Sequence, residues 1–416
     1  MMKTNRREFL KDSSAVSLGA FPSLICRGTS AAEDPRSSHE GKILVVIQMS
    51  GGNDGINTVV PFADEGYAQY RSKLRLPTER LLKLNDSVAL HPSMRAAADL
   101  IEDGRLAIVQ GVGYPNPSRS HDTSMAIWHS AEIGDEDTLR FHGWLGTAMD
   151  AMQQSSQERG NSDPDMVLLG DESQPLAIQS RRSTAVTLSN LTDLRLSHPI
   201  PRSTDQAAAA PPSESGNSLD RFVAQTMRDA TDTASGLEHS ISEMTHLATT
   251  GGASYPSTML GNRMQTISTL IKSGFSTPVY YAIQSGYDTH SAQLPTHSRL
   301  LREFSDAIKA FLNDLDSSEL SDQVCVLGFS EFGRRVAENG SGGTDHGTAG
   351  PVFVASRQIR PGLIGSMPSL QDLSGGDLRM NVDFRSVYHE VTTNWLGVRN
   401  VSTLSPSQIP LNLFQV

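Results

Sequence analysis

Carboxylate and imidazole side chains recur in short polar clusters beside the apolar runs of this 416-residue chain. Aspartate and glutamate oxygens, together with histidine nitrogens, are the ligands that a divalent transition metal takes in proteins. The clusters therefore predict a divalent metal site, for zinc first and for manganese, calcium or magnesium as alternatives. The candidate ligands are Asp54, Asp288, His290, Glu331, Asp345 and His346.

The stretch 118–122 offers a second kind of chemistry, a serine beside charged groups. Two prolines just before it forbid an earlier helix, so Ser120 and His121 are expected at or near a helix N-terminus. Free amides and the helix dipole stabilise an anion there, and a serine at that end can attack a phosphate or sulfate ester. We predict Ser120 as the nucleophile, with a plain helix cap as the alternative. Arg119 or Arg334 would hold the anion, and His121 would be a ligand or an acid–base group.

The elements that must position these residues are strands and helices in alternation. Continuous apolar runs, several of them rich in β-branched residues, are typical of buried strands, and apolar residues spaced three and four apart indicate helices packed on a sheet. We predict an α/β fold with a doubly wound, mostly parallel central sheet and helices on both faces. Ligand sites in such sheets lie beyond the carboxyl ends of the strands, where the polar clusters fall. The predicted strands are 43–48, 106–109, 278–283, 324–327 and 351–355, and the predicted helices are 91–100, 259–271, 300–315 and 382–396.

Charge and cysteine content narrow the class of protein. The formal net charge is −11, and no basic patch interleaved with aromatic residues occurs, which argues against a nucleic-acid partner. Cys325 lies inside an apolar run, where a buried, inert thiol is expected. Cys26 would be removed with the leader described next, so no disulfide is predicted within the mature chain.

The first 32 residues are typical of a secretory leader. A basic segment with Arg6 and Arg7 precedes a weakly apolar stretch and a small-residue cleavage region, and paired arginines followed by Phe-Leu-Lys resemble a twin-arginine export signal. We predict a signal peptide over 1–32, recognised by the twin-arginine export machinery, and a periplasmic or secreted mature protein without a transmembrane segment. The alternatives are an arginine-rich first helix of the domain and a lipoprotein anchored at Cys26.

The rest of the chain is expected to form one domain. We predict a linker at 33–40 and a single domain over 41–416. Within it, 150–220 lacks regular patterning and is predicted to be an irregular insertion over the site, with a disordered loop at 203–217. A long, weakly amphipathic helix is predicted over 219–244.

Several of these motifs, in their order, resemble the exported bacterial domain-of-unknown-function family DUF1501. They are the twin-arginine leader, Gly51-Gly-Asn-Asp-Gly, Tyr114-Pro-Asn-Pro-Ser-Arg-Ser-His, His142-Gly-Trp-Leu-Gly, Gly286-Tyr-Asp-Thr-His, Phe329-Ser-Glu-Phe-Gly-Arg and Thr344-Asp-His-Gly-Thr. That family is similar, more distantly, to the alkaline phosphatase and sulfatase superfamily. The resemblance implies an alkaline-phosphatase-like fold with divalent metals held by Asp and His beside a Ser, Thr or formylglycine nucleophile.

Carried to this sequence, the resemblance implies Asp54 as the ligand after the first strand and Ser120 as the nucleophile. It implies Asp288 and His290 as the next ligands, and His346 as the late histidine before the last core strand. The sequence departs from the superfamily where Phe332 stands in place of a histidine ligand. Pro115 stands at the position of the sulfatase cysteine, so no formylglycine can form there.

Together these observations predict an exported, metal-dependent hydrolase of phosphate or sulfate esters, acting on a small-molecule or polysaccharide ester. One alternative is a non-catalytic exported protein that keeps the fold and binds an anion or a metal. Another is a metal-free serine hydrolase using Ser120 and His346, although the chain has no Gly-x-Ser-x-Gly elbow.

Overall fold

A computed structural model of the protein describes residues 41–135, 137–155, 163–189, 254–399, 401, 403–404 and 410–415. The predicted leader, linker, disordered loop and 219–244 helix lie outside these residues. The strands in chain order are β1 (Ile43–Ser50), β2 (Val59–Val60), β3 (Leu82–Lys83), β4 (Ala89–Leu90), β5 (Leu106–Gly113), β6 (Met166–Leu169), β7 (Ala185–Leu188), β8 (Val279–Ser285), β9 (Val324–Phe329), β10 (Gly350–Ala355), β11 (Gly362–Ile364), β12 (Leu373–Ser374), β13 (Asp377–Leu378) and β14 (Val382–Asp383).

The helices alternate with these strands. They are α1 (Gly55–Thr58), α2 (Glu65–Tyr70), α3 (Arg95–Glu102), α4 (His121–Ser130), α5 (Trp144–Ser155), α6 (Met259–Lys272), α7 (Gln293–Asp316) and α8 (Phe384–His389), which continues into a π-helix at Glu390–Trp395. Short 3₁₀ turns lie at Thr78–Arg80, Leu176–Ile178 and Ser321–Gln323. No helix among the described residues is long and apolar enough to cross a membrane.

A large central sheet carries the fold, in the order β11–β5–β10–β9–β1–β8–β6–β7, with β14 paired beside β5. The pairs of β1 with β8 and β9, and of β6 with β7 and β8, are parallel. Strand β10 runs antiparallel to both of its neighbours, β5 and β9. The sheet therefore confirms the predicted α/β class with a mostly parallel central sheet.

The sequence of β1 explains why helices cover both faces of this sheet. Because successive side chains of a strand point to opposite faces, an unbroken apolar run must be buried on both sides. Val45 and Ile47 pack into one core with residues of α3, α6 and α7. Leu44 and Val46 pack into a second core with residues of α4, α5, α8 and the π-helix.

The described part of the segment 150–220 contains two strands. Strands β6 and β7 extend the central sheet beyond β8 instead of lying over the site. Met166–Leu169 is a run of four buried apolar residues, which is the pattern of an interior strand. The stretch 176–178 forms a 3₁₀ turn.

The direction of the strands places the polar clusters together. Strands β1, β8, β9 and β5 share one direction, so their carboxyl ends meet at one edge of the sheet. The antiparallel β10 begins at that same edge, so the loop before it also arrives there. The loops that carry Asp54, His121, Asp288, Glu331 and His346 are therefore neighbours.

Candidate metal centre

Three side chains converge at this edge with the spacing of metal ligands. The ligand atoms of His121, Asp288 and His346 all lie within 4.8 Å of one another. Asp288 Oδ1 lies 3.5 Å from His121 Nε2 and 3.2 Å from His346 Nε2. His290 Nε2 joins them, 3.0 Å from Asp288 Oδ1 and 2.9 Å from His346 Nε2.

The three Nε2 atoms lie 3.0–3.5 Å from Asp288 Oδ1. Donor atoms at the roughly 2.0–2.2 Å bond lengths of zinc lie about 3.3–3.6 Å apart at tetrahedral angles. The distances to Asp288 are close to this range, and His121, Asp288 and His346 form the group whose ligand atoms are all mutually close. Three imidazoles and one carboxylate also suit zinc better than calcium or magnesium, which take mainly oxygen ligands.

The second ring nitrogen of each histidine faces an oxygen. His121 Nδ1 lies 2.8 Å from Glu331 Oε1, and His290 Nδ1 lies 3.2 Å from Asp345 Oδ1. His346 Nδ1 lies 2.8 Å from the backbone oxygen of Arg119. A carbonyl or a carboxylate can only accept, so in the neutral tautomer that is protonated at Nδ1 each ring donates to its oxygen.

That tautomer leaves the Nε2 atoms, which face the shared Asp288 oxygen, as the nitrogens available to a metal. His121 Nε2 is buried and makes no hydrogen bond within the described residues. Three imidazole nitrogens and one carboxylate oxygen then face one another, and these are ligand types that zinc takes in proteins. The donor set therefore fits a divalent metal.

Asp288 is held in its ionised form. Burial alone raises the pKa of this carboxyl, but the hydrogen bond and charge of Arg334 outweigh it and lower the pKa to about 2. Arg334 Nη2 donates to Asp288 Oδ1 at 2.6 Å. Asp288 is thus a carboxylate at neutral pH.

The predicted role of Arg334 as the anion holder does not match its position. Its side chain is fully buried, and its guanidinium donates to the backbone oxygens of Gly51, Gly52, Tyr287 and Thr344. Every guanidinium nitrogen is used in joining the loops that follow β1 and β8 to the loop before β10. Arg334 therefore orients Asp288 and fixes the loops instead of facing a ligand.

Glu331 and Asp345 also differ from the prediction. Both were expected as ligands, but the structure places them on the Nδ1 atoms of His121 and His290. Glu331 is buried and also accepts from the amide of Gly51 at 2.9 Å, which anchors it. The Glu331 hydrogen bond raises the pKa of His121, although burial opposes the shift.

Asp54 lies apart from the histidines. It is fully buried and accepts from Arg71 at 2.6 and 3.0 Å, and Gln293 Nε2 donates to it as well. Burial raises the pKa of this carboxyl, but the Arg71 charge and hydrogen bond dominate and lower it to about 2. A carboxylate enclosed in this way forms a structural ion pair.

Gln293 links that ion pair to the loops of the centre. Its Oε1 accepts from Thr289 Oγ1 at 3.0 Å and from Thr344 Oγ1 at 2.6 Å. Thr289 directly precedes His290, and Thr344 lies two residues before His346. Sequence patterns did not single out Gln293 or Arg71, because neither belongs to a ligand motif.

Ser120 is the N-cap of α4, as the prolines predicted, and its hydroxyl accepts from the amide of Thr123. It is half-buried and directly precedes His121. The Arg119 side chain turns towards Asp377, so only its backbone oxygen reaches the centre. Phe332 packs its ring 4.9 Å from the rings of both His121 and His346 and forms an apolar wall.

Gly51 and Gly52 allow the loop after β1 to approach this centre. Gly51 has φ +119°, and a Cβ atom there would lie 2.4 Å from the Asp288 amide nitrogen. Gly52 has φ +78°, and its Cβ would lie 2.4 Å from the Phe332 ring. Only glycine combines these angles with so close an approach.

The family model of proteins of unknown function named DUF1501 matches residues 41–377 of the chain. The chain belongs to this family. The resemblance expected from the motifs is thereby confirmed. Among the curated proteins, none matches the chain.

Solved structures with a similar fold are distant. The PsFucS1 sulfatase from Pseudoalteromonas sp. is 10% identical with a TM-score of 0.40, over 100% of this chain and 77% of that one. Ps i-CgsB in complex with k-i-k-neocarrahexaose is 7% identical with a TM-score of 0.40, over 89% and 76%. Alkaline phosphatase from the Antarctic bacterium TAB5 is 8% identical with a TM-score of 0.35, over 86% and 99%. Likeness of this size carries no inference about activity.

Proposed function

We propose that this DUF1501 protein is a metal-dependent hydrolase of phosphate or sulfate esters. The observation that carries the proposal is the set of three histidines whose Nδ1 atoms lie 2.8–3.2 Å from oxygens while their Nε2 atoms face Asp288 Oδ1. The residues that would hold the metal are His121, Asp288, His290 and His346. A divalent metal, zinc first, supplies Lewis acidity to the ester oxygens when bound.

The chain's own residues supply the rest of the chemistry. Ser120 presents a hydroxyl beside His121 at the start of the ten-residue helix α4, where free amides and the dipole favour an anion. We assign Ser120 as the nucleophile and the α4 N-terminus as the place of the ester anion. The Phe332 ring packs against the rings of His121 and His346 on one side and excludes water from that side.

Export belongs to the same proposal. The leader 1–32 directs the chain to the twin-arginine machinery, which transports folded proteins, so the metal can be bound before transport. The substrate is a small-molecule or polysaccharide ester outside the cytoplasm.

A specific observation favours a second candidate, an exported metal- or anion-binding protein without turnover. The Ser120 hydroxyl accepts from the Thr123 amide in the contact of a plain helix cap, and Phe332 occupies the wall where the resemblance implies a further ligand. Such a protein would bind metal at the same four residues and hydrolyse nothing.

The deciding experiment is elemental analysis of the mature protein 33–416, purified without chelator, beside His346→Ala. We expect about one equivalent of zinc, lost in the variant. Hydrolysis of aryl phosphate and aryl sulfate esters is then measured with and without chelator. Hydrolysis that chelator and Ser120→Ala both abolish supports the proposal. Metal without hydrolysis supports the binding protein, and hydrolysis retained in chelator supports a metal-free serine hydrolase.

A further inference from the structure

A cleft opens beside the metal centre, on the side of the loop after β5. Its volume is about 480 Å³, within the range of small-molecule sites. Residues 113–117, Arg119, 348–349 and 377–380 line most of it. We refer to this feature as the arginine cleft, after Arg119 and Arg379.

The arginine cleft adjoins the centre through two segments of backbone. The Arg119 carbonyl accepts from His346 Nδ1 at 2.8 Å, while the Arg119 side chain lines the cleft. Thr348 and Ala349, also in the lining, follow His346 by two and three residues. The cleft and the centre therefore border the same two backbone segments, at Arg119 and at 346–349.

A buried carboxylate fixes the direction of the Arg119 guanidinium. The side chain of Asp377 is 1% exposed and pairs with Arg119, whose side chain is 46% exposed. Arg335 pairs with the other oxygen of Asp377 at 3.3 Å. Because two arginines share this one aspartate, its charge is more than neutralised, and one face of Arg119 remains open to the cleft.

The lining is therefore positively charged in a protein whose formal net charge is −11. Arg379 adds a second exposed guanidinium, because its side chain is 55% exposed and its partner Asp372 is 73% exposed. A guanidinium held by a buried carboxylate recognises sulfate, phosphate or carboxylate groups with two parallel hydrogen bonds. In the proposed function the neighbouring metal centre takes one anionic group of the substrate.

We propose that the arginine cleft binds a second anionic group of the substrate, so that the preferred ester carries at least two such groups. This inference rests on the proposed function for its first group, although binding in the cleft requires no turnover. The substrate class is a polyanionic ester, such as a sugar or polysaccharide with more than one sulfate or phosphate group.

The test compares two ligands that differ by one anionic group, a glucose monosulfate and the matching glucose disulfate. Calorimetric titration of the zinc-loaded protein gives the ratio of their dissociation constants. We expect the disulfate to bind at least about tenfold more tightly, equivalent to about 1.4 kcal/mol. Arg119→Gln is expected to bring that ratio close to one, and Arg379→Gln to reduce it severalfold.

Two controls make the result decisive. Arg302→Gln removes an exposed arginine of α7 outside the cleft and is expected to leave the ratio unchanged. Arg379→Gln tests the cleft independently if Arg119→Gln fails to fold, because the ion pair that Arg379 forms is exposed and its loss should not unfold the protein. A ratio near one in the wild type, no binding of either ligand, or a ratio unaffected by both cleft variants overturns the inference. If the protein hydrolyses no ester but still binds the disulfate more tightly than the monosulfate, the proposed activity is overturned and the inference about the cleft stands.

Discussion

His121 Nδ1 lies 2.8 Å from Glu331 Oε1, and this contact sets the direction of the opposite ring nitrogen. Glu331 directly follows Ser330 at the end of β9 and is anchored by the amide of Gly51. The carboxylate, the imidazole and the shared Asp288 oxygen thus form a line from the sheet edge to the centre. The order matches the carboxylate–histidine–metal arrangement that fixes the tautomer of a ligand.

Glu331→Gln is predicted to weaken zinc binding without unfolding the protein. A glutamine amide can donate to Nδ1, which would favour the tautomer whose Nε2 carries the proton. Loss of such a partner typically reduces metal affinity by roughly 10–100-fold. The measurement is a competition titration with a coloured zinc chelator. Glu102→Gln, on an exposed carboxylate of α3, is the matched control. Equal zinc affinity in the two variants would contradict the orienting role.

Asp54→Ala is predicted to destabilise the fold while leaving the metal stoichiometry intact. Removing one partner of a buried ion pair leaves Arg71 charged and unpaired, which costs about 3–5 kcal/mol of unfolding free energy. Urea unfolding gives that free energy, and elemental analysis gives the zinc content. The double variant with Arg71→Met is expected to recover part of the stability, because no buried charge remains. Loss of zinc at unchanged stability would instead make Asp54 a ligand.

Acid is predicted to unfold the protein through its buried neutral histidines. Burial lowers the pKa of His129 to about 4, from 6.5 in the unfolded chain. Between these values the unfolded chain binds the extra proton, so stability falls as the pH drops from about 7 to 4. One such histidine accounts for about 3 kcal/mol over that interval.

The variant that isolates this effect is His129→Gln, whose amide can still donate to Gln48 Oε1. We expect its unfolding free energy to depend on pH less steeply, by up to about 1.4 kcal/mol per pH unit between 6 and 4. His389→Gln is the control. Parallel pH profiles for wild type and His129→Gln would show that His129 is not buried in its neutral form.

The positions of the strands, and the gathering of polar residues at one edge of the sheet, could be predicted from the sequence. The role of each polar residue at that edge could not. The β-branched run of β1 can only be buried on both faces, so its end and the loop after it were predictable. A carboxylate at such an end, however, looks the same in the sequence whether it lies among histidines, as Asp288 does, or is enclosed beside Arg71, as Asp54 is. Arg71 lies 17 residues from Asp54 and outside any motif. His346 Nδ1 contacts the backbone carbonyl of Arg119. A backbone contact of this kind does not depend on the residue type, so the sequence does not indicate it.

His290 is predicted to be the fourth ligand, and cobalt substitution separates this role from that of a neighbour. A tetrahedral cobalt(II) site absorbs strongly in the visible range, whereas sites with more ligands absorb weakly. His290 Nε2 lies within 3.0 Å of Asp288 Oδ1, the separation of two donors on one metal. In His290→Ala, water can enter the vacated position and raise the coordination number, so we expect lower cobalt affinity and weaker visible absorbance.

Asp345→Ala distinguishes the ligand from the residue that orients it. Asp345 touches only the Nδ1 side of His290, so the cobalt spectrum should keep its shape while the affinity falls by a smaller factor than in His290→Ala. His389→Ala should change neither quantity. If His290→Ala keeps the full visible absorbance, His290 is not a ligand and the centre consists of His121, Asp288 and His346. The cobalt spectra of His290→Ala and Asp345→Ala would then be the same.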